Sequence, residues 1–228
     1  MKASTSAMNS EASEQLVYLD YDEVNSNKTY LYLKRAMDIV GSLCGVILLS
    51  PIFLIVAIAI KIEDPKGPIF FKQTRVGKNE KVFKMYKFRS MVIDAEERLA
   101  ELLHKNEVSG AMFKMKDDPR VTKIGKFIRK TSIDELPQLI NVLKGEMSLV
   151  GPRPPLVNEV KIYTNYQKQR LYVTPGCTGL WQATVRNSVG FEEMVELDLE
   201  YIKKRSLIYD IYLILKTVCL IFKRNDAY

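Results

Sequence analysis

Apolar and polar positions follow different rules in successive parts of the chain. From Ile39 to Ile60 there are 22 residues without a charge, IVGSLCGVILLSPIFLIVAIAI. As one straight helix this run would be about 33 Å long, enough to cross the hydrocarbon core of a bilayer. It has no polar face, so a membrane segment is expected in preference to a buried core helix. Ser50-Pro51 interrupts the run at its middle. Proline lacks an N–H and kinks a helix, and the Ser50 hydroxyl is placed to cover a freed carbonyl. Lys34 and Arg35 precede the run, and Lys61, Lys66, Lys72, Arg75 and Lys78 follow it. Basic flanks on both sides suit two cytoplasmic ends. A re-entrant helix–break–helix explains both the proline and the charges. A kinked ordinary span is the alternative that the pattern alone leaves open.

Beyond Pro68 the periods shorten. IFFKQTRVGKNEKVFKMYKFRSM reads as two strands joined by a turn at Gly77-Lys78-Asn79. Helical spacing follows from Ile93 to about Lys105, with a turn at Asp117-Asp118-Pro119 and short helices near Thr122–Lys130 and Glu135–Leu143. Pro175-Gly176 predicts a loop, and Glu192–Tyr201 an acidic helix. The segment LIYDIYLILKTVCLIFKR, Leu207 to Arg224, is broken by Asp210 and Lys216. It fits an interfacial helix with Lys216, Lys223 and Arg224 near headgroups, and it fits a terminal core helix equally well. The expected architecture is α+β and monotopic. Residues 1–27 form a poorly ordered acidic and polar tail, 28–62 a membrane-embedded re-entrant helix, and 63–228 a cytosolic domain with interfacial amphipathic helices. The tail has neither the basic start nor the apolar stretch of a signal peptide.

Charge sharpens this picture. The 228 residues carry a net charge of +7, but residues 1–27 hold one Lys and five acids, leaving +11 on the remainder. A body this basic expects an anionic partner: phosphate esters, nucleic acid or anionic lipid. Three dispersed cysteines exclude a disulfide framework and a Cys-x-x-Cys clamp. The single histidine, His104, sits in the charged stretch EERLAELLHKNE and reads as a surface residue. There is no Gly-x-Gly-x-x-Gly or Walker loop and no nucleic-acid motif.

The densest group of candidate residues is IRKTSIDELPQLINVLKGEMSLVGPRP, Ile128 to Pro154. Pro137 belongs near a helix start, which puts Asp134 and Glu135 in or beside a first turn. Helix N-termini attract phosphate, and Arg129, Lys130 and Arg153 add formal positive charge. A carboxylate there is expected to keep a low pKa, and carboxylates act as phosphoryl acceptors. The neighbouring carboxylate suits a divalent metal. On its own, however, Ser132 followed by Glu135 reads first as a capping box. Lys87-Phe88-Arg89 lies in a basic strand, whose usual meaning is an edge guarded by lysine. Pro152-Arg153-Pro154 presents one guanidinium on a rigid loop, suited to phosphate or to a plain turn.

KRAMDIVGS with LLSP, FFKQTRVG, KFRSM, SIDELPQLINVLKGEMSLVGPRP and PGCTGLWQ, in this order, resembles the bacterial sugar transferase family, the monotopic polyprenyl-phosphate phosphoglycosyltransferases. The resemblance runs from Lys34 to about Asn187 and implies the small, catalytic-core type. It implies transfer of a sugar 1-phosphate from a UDP-sugar to undecaprenyl phosphate, with release of UMP, at the cytoplasmic face of the bacterial inner membrane. By the same resemblance Ser50-Pro51 breaks a re-entrant helix, Asp134 is the nucleophile forming an aspartyl phospho-sugar, and Glu135 is associated with Mg2+. Lys87, Arg129 and Arg153 resemble phosphate contacts, and Pro152 and Pro154 frame a nucleotide loop. Ala183-Thr184-Val185 departs from the commoner sequence before Arg186, a place that bears on sugar selection. GLWQ-containing members lean towards plain hexose donors. The partners implied are a UDP-sugar, undecaprenyl phosphate and membrane lipid, with no nucleic acid; oligomeric state is not implied. A non-catalytic membrane-anchored module binding acidic lipid or protein is the competing reading.

Overall fold

The computed structural model describes residues 18–102, 104, 115, 117–185 and 189–222, the side chains of 221 and 222 excepted. The tail before residue 18, the far end of the helix expected to reach Lys105, Arg186, and the cations Lys223 and Arg224 lie outside the described residues. A short helix α1 (Tyr21–Val24) leads into α2 (Lys28–Leu48) and α3 (Ser50–Glu63). Asn27 caps α2, its side chain accepting from the Tyr30 N–H at 2.9 Å. The axes of α2 and α3 differ by 58°, and the bend falls at Leu49 to Pro51. The Ser50 hydroxyl donates to the Ile47 carbonyl at 2.7 Å, covering a group that the proline frees. Among the described residues no single helix is long and apolar enough to cross a membrane; the bent pair meets that test only together.

Helix α2 is inverted relative to a soluble core helix. The face of α2 that packs inward carries Lys34, Asp38 and Ser42, all buried. Their i, i+4, i+8 spacing makes one stripe. Outward face Ile39, Val40, Leu43, Ile47 and Leu48, all exposed, and α3 adds exposed Leu54, Ile55, Ile58 and Ile62. Ser42 donates within the helix to the Asp38 carbonyl, and the two charged members of the stripe are satisfied by the rest of the fold. Lys34 donates to Asp210 at 2.9 Å, and Asp38 accepts from the Ser148 hydroxyl at 3.0 Å and the Leu149 N–H at 2.9 Å. Gly41 lets α2 approach closely, since a Cβ there would lie 2.7 Å from Leu149.

Two strands follow, β1 (Phe70–Val76) and β2 (Val82–Phe88), paired antiparallel with Phe70 opposite Phe88 and Val76 opposite Val82. The connecting turn, Gly77 to Lys81, places Asn79 at φ 56°. After β2 the expected long helix is reduced, among the described residues, to α4 (Leu99–Leu102). Arg120 takes the Ala95 carbonyl at 3.2 Å, and the Leu99 N–H turns instead to Glu96, so the helical ladder does not run through. Next come α5 (Lys123–Lys130), a 3₁₀ turn (Ile133–Glu135) and α6 (Gln138–Lys144), which Gly145 ends at φ 81°. Then β3 (Ser148–Val150), α7 (Val157–Val160) and α8 (Asn165–Lys168) lead to β4 (Gly176–Thr178). Here the expected loop at Pro175-Gly176 is corrected: Gly176 opens a strand parallel to β3. Only glycine fits this crossing, because a Cβ on Gly176 would sit 2.0 Å from the Gly151 nitrogen.

Finally α9 (Leu180–Ala183), α10 (Phe191–Lys204) and α11 (Leu207–Phe222) close the body. Val150, Leu180, Val195, Leu199, Tyr201 and Leu213 form its main core. Helix α11 seats one face in the core, as a terminal core helix would, and leaves an apolar face exposed. Asp210 and Leu213 are fully buried, while Ile208, Ile211, Tyr212, Leu215 and Val218 are exposed. A second core joins α3 to the strands through Val56, Ile60, Phe88 and Ile128.

Asp210 accepts from Lys34, Tyr30 and Tyr201 with no exposure of its own. Removing one member of such a buried pair strands the other charge. Asp210→Ala should therefore cost about 3–5 kcal/mol in denaturant unfolding, and adding Lys34→Met should recover much of the loss.

Candidate active site

Strand β2 aims Lys87. With period 2, Phe83, Met85 and Lys87 share one face, and Phe83 and Met85 pack with Val142 of α6. Asn141, fully buried on α6, holds the strand edge: its Oδ1 accepts from the Tyr86 N–H at 2.9 Å and its Nδ2 donates to the Lys84 carbonyl at 2.7 Å. Lys87 is thereby directed at the 3₁₀ turn before α6. Its Nζ lies 2.6 Å from Glu135 Oε1 and 4.0 Å from Asp134 Oδ2.

Pro137 stands at the helix start as expected, as N-cap of the seven-residue α6, and Asp134 and Glu135 lie beside its first turn, in a separate 3₁₀ turn. The capping box that Ser132 and Glu135 suggest does not form. Ser132 adopts the left-handed conformation at φ 58° and its side chain makes no cap hydrogen bond, while the Glu135 carboxylate goes to Lys87. The positive field around the pair therefore comes from side chains carried by other elements.

Asp134 is buried, at 8% exposure. Burial pushes its carboxyl up to about 6, against the lowering effect of Lys87 and Arg129 and with a further rise from Glu135. This corrects the expectation of a low pKa: cations near in sequence were counted, but desolvation is larger. Glu135 behaves differently. Burial raises it, but Lys87, Arg153 and Arg75 together outweigh that and hold it below the usual carboxylate value. Two adjacent carboxyls are thus driven apart.

Arg75 was not foreseen at the site. It is buried near the end of β1, donates to the Pro154 carbonyl at 3.0 Å and to Gln73 Oε1 at 2.7 Å, and so ties the Pro-rich loop to the sheet. Burial and then the charge of Arg153 push its guanidinium down to about 10. In the sequence it reads only as one of the basic residues that follow the uncharged run. The loop is stitched further by Gly176 N–H to the Pro152 carbonyl, 2.9 Å, and Val76 N–H to the Pro155 carbonyl, 3.0 Å. Arg153 is half-buried between them. Lys87, Asp134 and Glu135 are in contact, and Arg129 and Arg153 act on them electrostatically. Ser50 and Pro51 do not touch the pair, but Ile52 and Phe53, just past the break, pack in one cluster with Ile133.

Among the described residues no three His, Cys, Asp or Glu side chains converge as a metal cage. Asp134 and Glu135 offer two carboxylates, with one Glu135 oxygen already taken by Lys87. Mg2+ is commonly held by one or two carboxylates together with substrate phosphates and water. The donor set fits Mg2+ arriving with a diphosphate, not a site preformed by protein alone.

The profile of the family "Bacterial sugar transferase" covers residues 29–224, and the chain belongs to that family. It is 51% identical over 202 residues to the galactosyl transferase CpsE of Streptococcus agalactiae, covering 87% of this chain and 44% of that protein. It is 42% identical over 220 residues to the undecaprenyl-phosphate galactose phosphotransferase of Salmonella typhimurium, covering 95% and 46%. It is 38% identical over 199 residues to the exopolysaccharide production protein ExoY of Sinorhizobium fredii, covering 86% and 88%. The chain thus spans less than half the length of the first two and most of the third.

The raised pKa of Asp134 has a signed consequence. Between about pH 4 and pH 6 the folded chain binds this proton more tightly than the unfolded chain, so its contribution to stability is full below pH 4 and lost as pH rises through 6. Asp134→Asn should be more stable than the parent at pH 7, by about 2–3 kcal/mol, with the difference vanishing by pH 4. Denaturant titrations of both proteins at the two pH values check this.

Proposed function

We propose that the chain transfers a hexose 1-phosphate from a UDP-sugar to undecaprenyl phosphate, through a covalent intermediate on Asp134. One observation carries the reading: a buried carboxylate with a raised pKa lies 4.0 Å from a lysine that pairs closely with its neighbour Glu135. A carboxyl near 6 is mostly ionised at neutral pH yet poorly solvated, which makes it a stronger nucleophile than an exposed one. An Asp134 oxygen attacks the sugar-bearing phosphorus. The bond from that phosphorus to the bridging oxygen breaks, and UMP leaves with the electron pair. An oxygen of undecaprenyl phosphate then attacks the same phosphorus and frees the carboxylate. Lys87, Arg129 and Arg153 offset the charge on the transferring phosphoryl oxygens. Arg75 and Arg153 repel each other, so a diphosphate between them relieves that repulsion. Pro152 and Pro154 keep this loop rigid. Mg2+, when bound by Glu135 with the donor's diphosphate, supplies further charge neutralisation.

The exposed apolar faces of α2, α3 and α11 support a site at the membrane surface, with 28–62 embedded as a re-entrant hairpin and the rest on the cytoplasmic side. Such a placement lets one turn meet a soluble donor and a lipid acceptor. Relatives named for galactose and glucose transfer support a hexose donor, although another is named for N-acetylgalactosamine.

With UDP-galactose, UDP-glucose and their N-acetylated counterparts offered in turn, UMP release should be fastest with a plain hexose. Labelled UMP should exchange into the donor without undecaprenyl phosphate. Asp134→Asn should abolish both exchange and turnover while remaining folded; an Asn variant with near-parental exchange defeats the covalent reading. Glu135→Gln should lower turnover strongly, and EDTA should stop it until Mg2+ is returned.

For topology, single cysteines at 30 and 66, in a chain without Cys44, Cys177 and Cys219, should both resist an impermeant thiol reagent outside intact cells. Labelling of one alone means a span. Replacing Ser50-Pro51 by Ala-Leu should shift the balance towards spanning.

A further inference from the structure

A cavity of about 120 Å³ opens at the other end of α6 from Asp134, with Lys34, Arg35, Lys78 and Arg205 on its walls beside Asp38 and Gly145. That volume is several times what one water needs. About 10 Å of helix rise separates it from the catalytic turn, and the two share no lining residue named above.

Lys34 is neutralised by Asp210 behind it. The other three cations hold only neutral partners. Arg35 donates to the Val142 and Leu143 carbonyls at 2.6 and 2.8 Å, capping α6. Lys78 donates to Asn25 Oδ1 at 2.7 Å, and Arg205 donates to the Val24 carbonyl. Among the described residues none of the three forms an ion pair. Asp38 is the single carboxylate on the wall, and its Oδ1 is already committed to Ser148 and Leu149. Burial first, and then the charges of Arg205 and Lys28, hold the Lys78 amine below its ordinary value. Like charges gathered in a partly closed space are costly without a counter-ion. Arg35 lies four residues before the uncharged run.

We propose that this cavity is a second anion site, separate from the transfer site, which takes the phosphate group of a phosphodiester or phosphomonoester. The shared chemistry has two sources, a lipid headgroup and free phosphate, and the test separates them. The proposal is independent of the transfer reaction.

Thermal unfolding of the full chain in non-ionic detergent is followed against dioctanoyl phosphatidylglycerol, inorganic phosphate at constant ionic strength, and phosphate-free dioctanoylglycerol. A saturable rise in midpoint with either phosphate probe is expected, and none with dioctanoylglycerol. A response to the lipid alone identifies a headgroup site; a response to both identifies the phosphate group itself. Lys78→Gln with Arg205→Gln should weaken the apparent affinity about tenfold or more. Arg153→Gln should leave the response intact. Asn25→Asp gives Lys78 an internal carboxylate, so it should fold without added anion and lose the response; this variant decides the matter if the double variant does not fold. No saturable response to either phosphate probe overturns the proposal. So does a response unchanged in the Asn25 variant and in the double variant where it folds.

Discussion

Everything in this fold depends on how a helix with an apolar outer face is held to a polar body. Hydrophobic burial cannot do it, because the apolar residues of α2 point away. The contact is made by hydrogen bonds and charge: Asp38 receives a hydroxyl and a backbone N–H from β3, and Lys34 is received by Asp210 on α11. Such groups are directional and intolerant of missing partners, so they fix register where a greasy face would slide. Because β3 runs into the Pro-rich loop and α6 packs against α2, that register is passed on to the turn carrying Asp134.

The electrostatics of the turn follow from the same economy of placement. A short 3₁₀ turn has little dipole of its own, so the cations that surround Asp134 and Glu135 come from β1, β2, α5 and the loop after β3. Their unequal reach separates the two carboxyls. Glu135, gripped by Lys87, is the fixed anion; Asp134 is further from the ammonium, its side chain is less exposed, and its carboxyl is pushed up. Two residues adjacent in sequence acquire different chemistry from a difference of little more than an ångström in distance to one amine.

The sequence made some of this legible. A proline inside an uncharged run has few meanings, and the break at Ser50-Pro51 was readable with its serine cover. The β1–β2 hairpin and the short helices α5 and α6 were readable from period and turn residues. The rest depended on partners distant in the chain. Asn141 serves as a strand-edge partner only because α6 happens to lie on β2. Strand β4 is three residues beside a glycine crossing, too short for a pattern. The state of Asp134 was misjudged because sequence displays charge but not burial. Lys34, Asp38 and Ser42 stand in plain helical spacing, yet the pairing of Lys34 with Asp210 is not legible there, since an inverted helix looks ordinary until its outer face is known.

The pairing of Lys34 with Asp210 also sets an order of events during synthesis. The two lie 176 residues apart, and the partners of Asp38 are themselves more than a hundred residues downstream. When α2 and α3 leave the ribosome, none of the groups that will seat them has been made. Until then the hairpin exposes its apolar face and its polar stripe alike, a state prone to association. The nascent chain therefore needs an outside host for the apolar face, bilayer or chaperone, before the body exists, and α11 acts as the closing clasp.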